Sequence, residues 1–351
     1  MSLRTALRRL SAQSLSYGSA NLSRKLLAFL LLPLYTAYLS PEDYGIISTV
    51  GIIAFLAGTI LSLKQDAAVL RLWYDYAGSV ECLRRYLGTV ILLVASVAIA
   101  GALLLSLFSR PLFALFLRDV PFSYVVYGLW TGAAAGLSLI PMMVLRVKEQ
   151  AFRFGLLQVA SFLVTAGLIV YFVVYRGEAA LGQVKGMLLG TCVLLLVSLV
   201  LLVREVRPGL SLRQAKATVL YGVPLIPQGI AEWVIAGSDR VFLVYHGTLA
   251  SVGLYSLAYT LGSAVNVLIF SLQQALGPFF FSTAGNREEA ENLLPRLATY
   301  ATLAVSVAVI VVSVFGREAI MVMADPRYVG ASQVVPVIAS LYLVKPLSLF
   351  A

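Results

Sequence analysis

Long apolar stretches separated by short polar segments run along the whole chain. A bilayer core about 30 Å thick requires roughly 20 apolar residues in a helix. In lipid the backbone must satisfy its own hydrogen bonds, which leaves helices or a closed β-barrel, and stretches of this length favour helices because a barrel strand needs only about 9–11 residues. The pattern therefore predicts an all-α polytopic membrane protein with about ten transmembrane helices. The predicted spans, in order, are Leu26–Tyr38 (with the polar run before it), Tyr44–Leu63, Tyr86–Phe108, Pro121–Leu145, Phe154–Tyr175, Ala179–Val203, Thr218–Gly237, Ala250–Phe281, Leu297–Phe315 and Val329–Ala351.

Lysine and arginine cluster in alternate connections between the predicted spans. With the N-terminus in the cytoplasm, 16 of them lie in inner connections, 6 in outer connections and 4 within spans. Such an excess marks cytoplasmic loops, so we predict a cytoplasmic N-terminus. The net charge is +10, but its alternating distribution argues against nucleic acid as a partner. Apolar residues make up 60% of the chain and charged residues 12%, and no connection is long enough for a separate soluble domain.

An internal repeat is visible at a constant offset of 208 residues: Gly45, Ser48, Gln65 and Ala67 match Gly253, Ser256, Gln273 and Ala275. Six spans precede the second copy, so both copies cross the membrane in the same direction, as in transporters built from parallel repeats. We predict two pseudo-symmetric helical bundles around a central cavity. Residues 1–210 form a six-helix bundle, and residues 211–351 form an incomplete bundle of about four helices. We expect the sequence to be a C-terminally truncated fragment.

Two predicted spans carry a narrow polar stripe. Residues separated by 7, 11 and 18 positions fall within roughly 20° of one line on a helix. The seventh span has this spacing at Tyr221, Gln228, Glu232 and Asp239. The first repeats the spacing of 7 and 18 at Tyr17, Arg24 and Tyr35, with Asn21 close by. Ionisable residues inside a membrane usually face a protein interior or an aqueous cavity. We expect the two stripes to face each other across a central aqueous cleft.

Other polar residues within spans have competing interpretations. Lys25 either joins Arg24 in the cleft or extends to the membrane surface, whereas Lys345 lies deep in the tenth span and is a cleft candidate. Asp239 and Arg240, at the outer end of the seventh span, form either a local ion pair or a substrate contact. In the eighth span Tyr255, Tyr259 and Asn266 are candidates for lining the cleft.

Motifs for catalysis and for metal or nucleotide binding are absent from the sequence. There is no phosphate-binding loop of the G-x-x-x-x-G-K-[ST] type. His246 is the single histidine, and Cys82 and Cys192 are the only cysteines, so neither a catalytic triad nor a metal-ligand cluster is expected. We predict a transporter rather than an enzyme, with no cofactor beyond a coupling proton or sodium ion.

Three segments carry a resemblance to a known family: "LLPLYTAYLSPEDYGIISTV", "YGVPLIPQGIAEWVIAGSDRVFLVYHGTLASVGLYSLAY" and "QQALGPFFF". They resemble polysaccharide (O-antigen, Wzx-type) flippases of the multidrug/oligosaccharidyl-lipid/polysaccharide exporter superfamily. The resemblance implies translocation of a lipid-pyrophosphate-linked oligosaccharide across the cytoplasmic membrane of a prokaryote, for cell-surface polysaccharide synthesis. Membrane lipids and other polysaccharide-assembly proteins are the further partners that it implies.

Within that resemblance the polar residues take distinct roles. Arg24, Lys25 and Lys345 would bind the pyrophosphate, because cations, and the arginine fork above all, suit phosphate oxygens. The oligosaccharide would meet Asn21, Gln228, Tyr255, Tyr259 and Asn266. Glu232 and Asp239, with Arg240, would serve ion coupling or gating. Two alternatives stay open: a cation-coupled drug or small-molecule antiporter of the same superfamily, and a non-transporting membrane scaffold of envelope assembly.

Overall fold

The computed structural model describes residues 29, 31–117, 119–273 and 287–346, and these residues contain helices and no strand. The α-helices are α1 (Leu32–Tyr38), α2 (Pro41–Leu61), α3 (Gln65–Tyr76), α4 (Val80–Phe108), α5 (Arg110–Phe116), α6 (Phe122–Val147), α7 (Ala151–Val170), α8 (Ala179–Leu202), α9 (Leu212–Gly222), α10 (Ile226–His246), α11 (Leu249–Gly262), α12 (Val265–Gln273), α13 (Arg287–Val314), α14 (Gly316–Met323) and α15 (Val335–Ser340). A π-helical turn, Tyr171–Tyr175, extends α7, and 3₁₀ turns cover Val203–Glu205, Val223–Leu225, Pro326–Gln333 and Leu341–Val344.

The helices agree with the predicted spans. Within the described residues, seven helices are long and apolar enough to cross a membrane, and nine spans result when each of two bent helix pairs counts as one. These nine follow the order of the second to tenth predicted spans, and the bent pairs are the eighth and tenth. The first predicted span lies mostly outside the described residues, which contain its last part, α1. The prediction of an all-α polytopic membrane protein is confirmed.

The helix boundaries repeat along the chain as the sequence repeat predicts. α1 and α10 end at Tyr38 and His246, and α2 and α11 begin at Pro41 and Leu249, in both cases 208 residues apart. The next long helices, α4 and α13, and the short helices after them, α5 and α14, correspond at offsets of 206 and 207 residues. The repeat therefore extends to helix boundaries, beyond the few identical residues.

The described residues fall into two compact units. The larger unit is Glu42–Val252, and the smaller unit combines the described residues up to Pro41 with the described residues from Gly253 onward. The boundary predicted between residues 210 and 211 falls inside the larger unit; as a division between the two repeats it stays a prediction.

Helix α6 lies at the centre of the larger unit, where 78% of its apolar segment is buried. It packs against α2 through three glycines at four-residue intervals, Gly128, Gly132 and Gly136. A Cβ atom on Gly132 would lie 2.3 Å from the carbonyl oxygen of Ala54 and 2.8 Å from Cβ of Ala57. Small residues at this spacing let membrane helices approach closely, since association in lipid depends on packing rather than on the hydrophobic effect.

In the smaller unit, α1 is tied to the start of the tenth span. The hydroxyl of Tyr328 donates to the carbonyl of Leu39 at 3.1 Å, and the guanidinium of Arg327 donates to the carbonyls of Thr36 and Ala37. The Asp325 carboxylate accepts from the backbone and side chain of Arg327, at 3.0 and 2.8 Å. The hydrogen bonds from Arg327 lower the pKa of the half-buried Asp325 carboxyl. The hydrogen bonds donated by Tyr328 and Arg327 satisfy carbonyl groups at the end of α1 that have no partner within the helix.

Candidate functional site

The second span is interrupted between α2 and α3. Leu63 and Lys64 have φ angles of 52° and 51°, the left-handed conformation, which costs roughly 1–2 kcal/mol for each non-glycine residue. The fully buried Gln65 stabilises this break: its Nε2 donates to the carbonyls of Leu63 at 3.1 Å and Thr218 at 3.2 Å. The Thr218 hydroxyl in turn hydrogen-bonds the amide oxygen of Gln65. Backbone strain of this kind persists where neighbouring groups hold it, often at functional sites.

The break places the ammonium group of Lys64 beside the seventh span. Nζ of Lys64 lies 3.5 Å from Oε2 of Glu232, and Nε2 of Gln228 donates to the other carboxylate oxygen at 3.2 Å. The side chain of Lys64 is 20% exposed and that of Glu232 is 51% exposed. Two residues of the predicted polar stripe, Gln228 and Glu232, thus form one cluster with a lysine that the sequence pattern had assigned to a cytoplasmic loop.

Glycines and a tryptophan on α10 set this geometry. A Cβ atom on Gly229 would lie 2.4 Å from Cε of Lys64 and 2.5 Å from Cγ2 of Thr59. One turn further, Nε1 of Trp233 donates to the carbonyl of Ile52 at 3.0 Å, and Gly237 also packs against Ile52. These residues form the contact face of α10 with α2. Gln228 and Glu232 each precede a contact residue by one position, so they lie at the edge of that face.

A cavity of about 210 Å³ opens beside the break. Its walls combine apolar and polar residues: Ala54, Phe55, Gly58, Thr59, Ser62, Lys64, Asp66, Ala135, Gly136 and Leu139. One wall residue is unusual, because Oδ1 of Asp66 is buried and has no hydrogen-bond partner among the described residues. Most buried polar atoms in proteins are hydrogen-bonded, so an unpartnered one requires an explanation. The cavity, Lys64, Glu232 and Gln228 together are the candidate site of the larger unit.

A second polar contact lies within the smaller unit, where the two bent spans meet. Nζ of Lys345 donates to Oδ1 of Asn266 at 3.2 Å and lies 5.0 Å from the ring centroid of Tyr342. Both Lys345 and Asn266 were predicted as substrate-binding residues, and the structure brings them into contact. Their role in binding stays a prediction. Interrupted transmembrane helices often form binding sites in transporters, because their free ends supply backbone dipoles.

The remaining predicted residues are placed as follows. The rings of Tyr255 and Tyr259 lie 6.4 Å apart on α11. The Asp239 carboxylate accepts from the backbone N–H of Arg240 at 2.8 Å, and the Arg240 guanidinium donates to the carbonyl of Ala236. The functions assigned to these four residues stay predictions.

Asn21, Arg24 and Lys25 lie outside the described residues, as does Tyr17. The predicted facing of the two polar stripes therefore stays a prediction as well.

Sequence reasoning missed two residues of the candidate site, Lys64 and Asp66. Both were assigned to a cytoplasmic connection, since charged residues directly after an apolar stretch usually end a span. The structure instead shows a helical stretch from Pro41 to Tyr76 that is interrupted at the break. The available signal was Gln65, which the internal repeat had already singled out and which the structure shows holding the break.

Comparison with known proteins defines the class. The fold matches a multidrug resistance MATE family transporter of the MOP superfamily in an inward-facing conformation, with a TM-score of 0.67 and 15% identity, covering 93% of this chain and 79% of that one. An outward-facing structure of such a transporter matches with a TM-score of 0.59, 17% identity and coverages of 98% and 80%. The protein is a multi-pass membrane protein with the fold of a MOP-superfamily transporter.

Sequence comparison identifies the family. The model of the family described as "Polysaccharide biosynthesis protein" matches residues 10–284, and the chain belongs to this family. An Lsg locus protein of Haemophilus influenzae is 21% identical over 333 residues, covering 90% of this chain and 77% of the relative. Another membrane protein of that organism is 24% identical over 271 residues, and the chain spans 63% of its length.

Proposed function

We propose that this protein translocates a lipid-pyrophosphate-linked oligosaccharide across the prokaryotic cytoplasmic membrane by alternating access. The family membership and the transporter fold support this proposal. With the N-terminus in the cytoplasm, the break in the second span lies near the inner surface. A substrate synthesised in the cytoplasm would meet the cavity there, and its lipid would remain in the bilayer.

One observation supports an anionic substrate more than any other: a lysine held beside a cavity at a broken transmembrane helix. Lys64 lies directly before α3, whose N-terminal end carries a partial positive charge. Helix N-termini within broken spans bind anionic groups in other transporters. Lys64 and the start of α3 would therefore interact with the pyrophosphate, and Arg24 and Lys25 are further candidates from the first span.

A second candidate function follows from the same cavity. Asp66 provides a carboxylate in the cavity wall, and Phe55, Ala54 and Leu139 provide apolar walls. Glu232 provides a second carboxylate beside Lys64. Carboxylates among apolar walls suit an organic cation, so these residues favour a cation-coupled antiporter of the same superfamily. The two functions differ in the charge of the transported molecule, and transport measurements separate them directly.

The experiment uses the purified chain in liposomes that contain a fluorescent lipid-diphosphate oligosaccharide. Transport is measured as the fraction of label that a membrane-impermeant quencher no longer reaches. We expect Lys64→Ala to slow translocation by roughly 10- to 100-fold, the loss of one charge-assisted hydrogen bond to phosphate. Lys64→Arg should retain most activity, and Arg24→Ala should lose translocation while inserting normally.

Arg71→Ala is the matched control, because Arg71 is a nearby exposed cation whose contact is a surface ion pair with Asp75 at 3.1 Å. It should translocate at the rate of the unmodified protein. Equal translocation by Lys64→Ala and the unmodified protein would remove Lys64 from the site. Exchange of an organic cation for protons, without translocation of the lipid, would establish the antiporter. Absence of both activities would support a scaffold.

A further inference from the structure

Another cavity of the larger unit lies where the end of α6, the start of α7 and the end of α8 meet. Its volume is about 40 Å³, room for roughly three water molecules. The wall combines apolar residues of α6 and α8 with three charged side chains, Lys148, Arg153 and Glu205. The three helices belong to consecutive spans, so these ends share one membrane surface, which is the inner one in the predicted topology.

The charges of this cavity wall do not balance. Nζ of Lys148 forms an ion pair with Oε2 of Glu205, and the two side chains are 29% and 33% exposed. In the part of the chain that the structure describes, Arg153 forms no ion pair. Its guanidinium donates to the neutral amide oxygen of Gln150 at 3.1 Å. The wall therefore has a net charge of +1, because the charge of Arg153 is not neutralised.

The connections around the cavity add to its positive charge. Residues 146–153 and 203–205 contain four cations and two carboxylates: Arg146, Lys148, Arg153, Arg204, Glu149 and Glu205. Arg153 also lies in the first turn of α7, where the helix dipole adds a partial positive charge. A negatively charged ligand is therefore the kind that this wall favours.

The cavity also reaches the apolar surface of the protein. Leu201 lines the cavity and is 53% exposed, and Phe152, the residue before Arg153, is 81% exposed. At the end of a membrane span, exposed apolar side chains of this kind contact lipid at the membrane interface. A soluble anion would make no use of them. Leu201 and Phe152 therefore favour an anion that carries hydrocarbon chains.

We propose that this cavity binds the headgroup of an anionic phospholipid from the surrounding leaflet, with the lipid phosphate at Arg153 and Lys148. The arginine fork suits phosphate oxygens, and basic pockets between membrane helices bind anionic headgroups in other proteins. The acyl chains lie along Leu201 and Phe152, and Glu205 competes with the phosphate for Lys148. The residues that line this cavity are separate from those of the cavity beside the break, so the inference does not rest on the proposed function.

The test measures lipid binding to the purified full chain in detergent by native mass spectrometry. Phosphatidylglycerol and phosphatidylcholine are added in equal amounts, and the complexes with each lipid are counted. We expect phosphatidylglycerol to be preferred roughly tenfold, the effect of one charge-assisted hydrogen bond. Arg153→Gln should remove this preference, and Arg153→Lys should retain part of it. Arg176→Gln is the matched control, because Arg176 lies at the other end of the same span and pairs with Glu178 at 3.8 Å; it should leave the preference unchanged.

Glu205→Gln separates lipid binding from a purely structural role of the ion pair. The substitution frees Lys148 and raises the net charge of the wall from +1 to +2, so the preference for phosphatidylglycerol should increase. A lower thermal midpoint with an unchanged preference would contradict the proposal.

Three further results would overturn the assignment. The first is an equal preference in Arg153→Gln and the unmodified protein. The second is a preference that disappears in Lys64→Ala instead, which would place the lipid in the cavity beside the break. The third is displacement of phosphatidylglycerol by an equal concentration of inorganic phosphate, which would identify a soluble phosphate as the ligand.

Discussion

The substitution Gly229→Ala tests whether Lys64 occupies the position that the structure gives it. The added Cβ would lie 2.4 Å from Cε of Lys64 and 2.5 Å from Cγ2 of Thr59, whereas ordinary contacts begin at 3.4 Å. The overlap is about 1 Å on each side. Because Thr59 is buried, the flexible lysine should move first, and a shift of this size lengthens its 3.5 Å contact with Glu232.

The energetic effect follows from two opposing contributions. Overpacking of a well-packed site costs roughly 1–3 kcal/mol. Replacing a helical glycine by alanine returns about 1 kcal/mol through helix propensity. We therefore expect a net destabilisation of about 0–2 kcal/mol, together with a roughly tenfold fall in translocation. The measurements are thermal unfolding in detergent and the liposome assay with lipid-linked oligosaccharide.

A double-mutant cycle isolates the contact. In a Lys64→Ala background, Cε and Nζ are absent, so Gly229→Ala should lose less stability than it does alone, by about 1 kcal/mol. Gly51→Ala is the control: Gly51 lies in α2 with nothing within 4 Å of its added Cβ, and the substitution should be neutral or slightly stabilising. Additive effects of Gly229→Ala and Lys64→Ala, with unchanged translocation in the single Gly229→Ala variant, would refute the placement of Lys64 against α10.

Two further predictions concern packing and pH. Gly132→Ala should destabilise the protein by roughly 1–3 kcal/mol, because the added Cβ would lie 2.3 Å from the Ala54 carbonyl oxygen. Gly167→Ala is the control and should not destabilise it, since nothing lies within 4 Å of the added Cβ. Thermal unfolding in detergent compares the two variants. Hydrogen bonds from Arg327 lower the pKa of Asp325, so its contribution to stability is present above the unfolded value of about 3.9 and is lost as pH falls through the folded value. The difference in thermal midpoint between the unmodified protein and Asp325→Ala should therefore shrink below about pH 4, and a constant difference from pH 2 to 6 would contradict the assignment.

The spans and their order could be predicted from the sequence because lipid imposes a simple rule. A segment in hydrocarbon must be apolar, about 20 residues long and helical. Interruptions of a span follow no comparable rule. The break at Leu63 and Lys64 occurs without proline or glycine, in left-handed backbone. It is held by the adjacent Gln65, whose partner Thr218 lies 153 residues further along the sequence.

The candidate site was predictable only in part for the same reason. Gln228 and Glu232 were found because regular spacing on one helix needs no tertiary information. Their partner, Lys64, comes from another span, and a single sequence does not contain that pairing. Asn266 and Lys345 were each singled out as polar residues in apolar surroundings, but their contact depends on two bent spans meeting, which only the structure reveals.

The internal repeat preserves helix boundaries while changing charge. At the offset of 208, Lys64 corresponds to Leu272, Asp66 to Gln274 and Glu232 to Arg24, so the charged residues of the candidate site have no counterpart of like charge in the other copy. The same comparison relates Asn266 to Gly58, and offsets of 206 to 208 relate Lys345 to positions 137–139.

Gly58 and Leu139 both line the cavity of the larger unit. The smaller unit therefore carries a lysine–asparagine contact where the larger unit has its cavity wall. Since several helix boundaries agree between the copies and the charges do not, shared architecture does not explain where the charges lie. A site in one unit therefore does not predict a site of the same chemistry in the other, and each unit's charged residues must be tested separately.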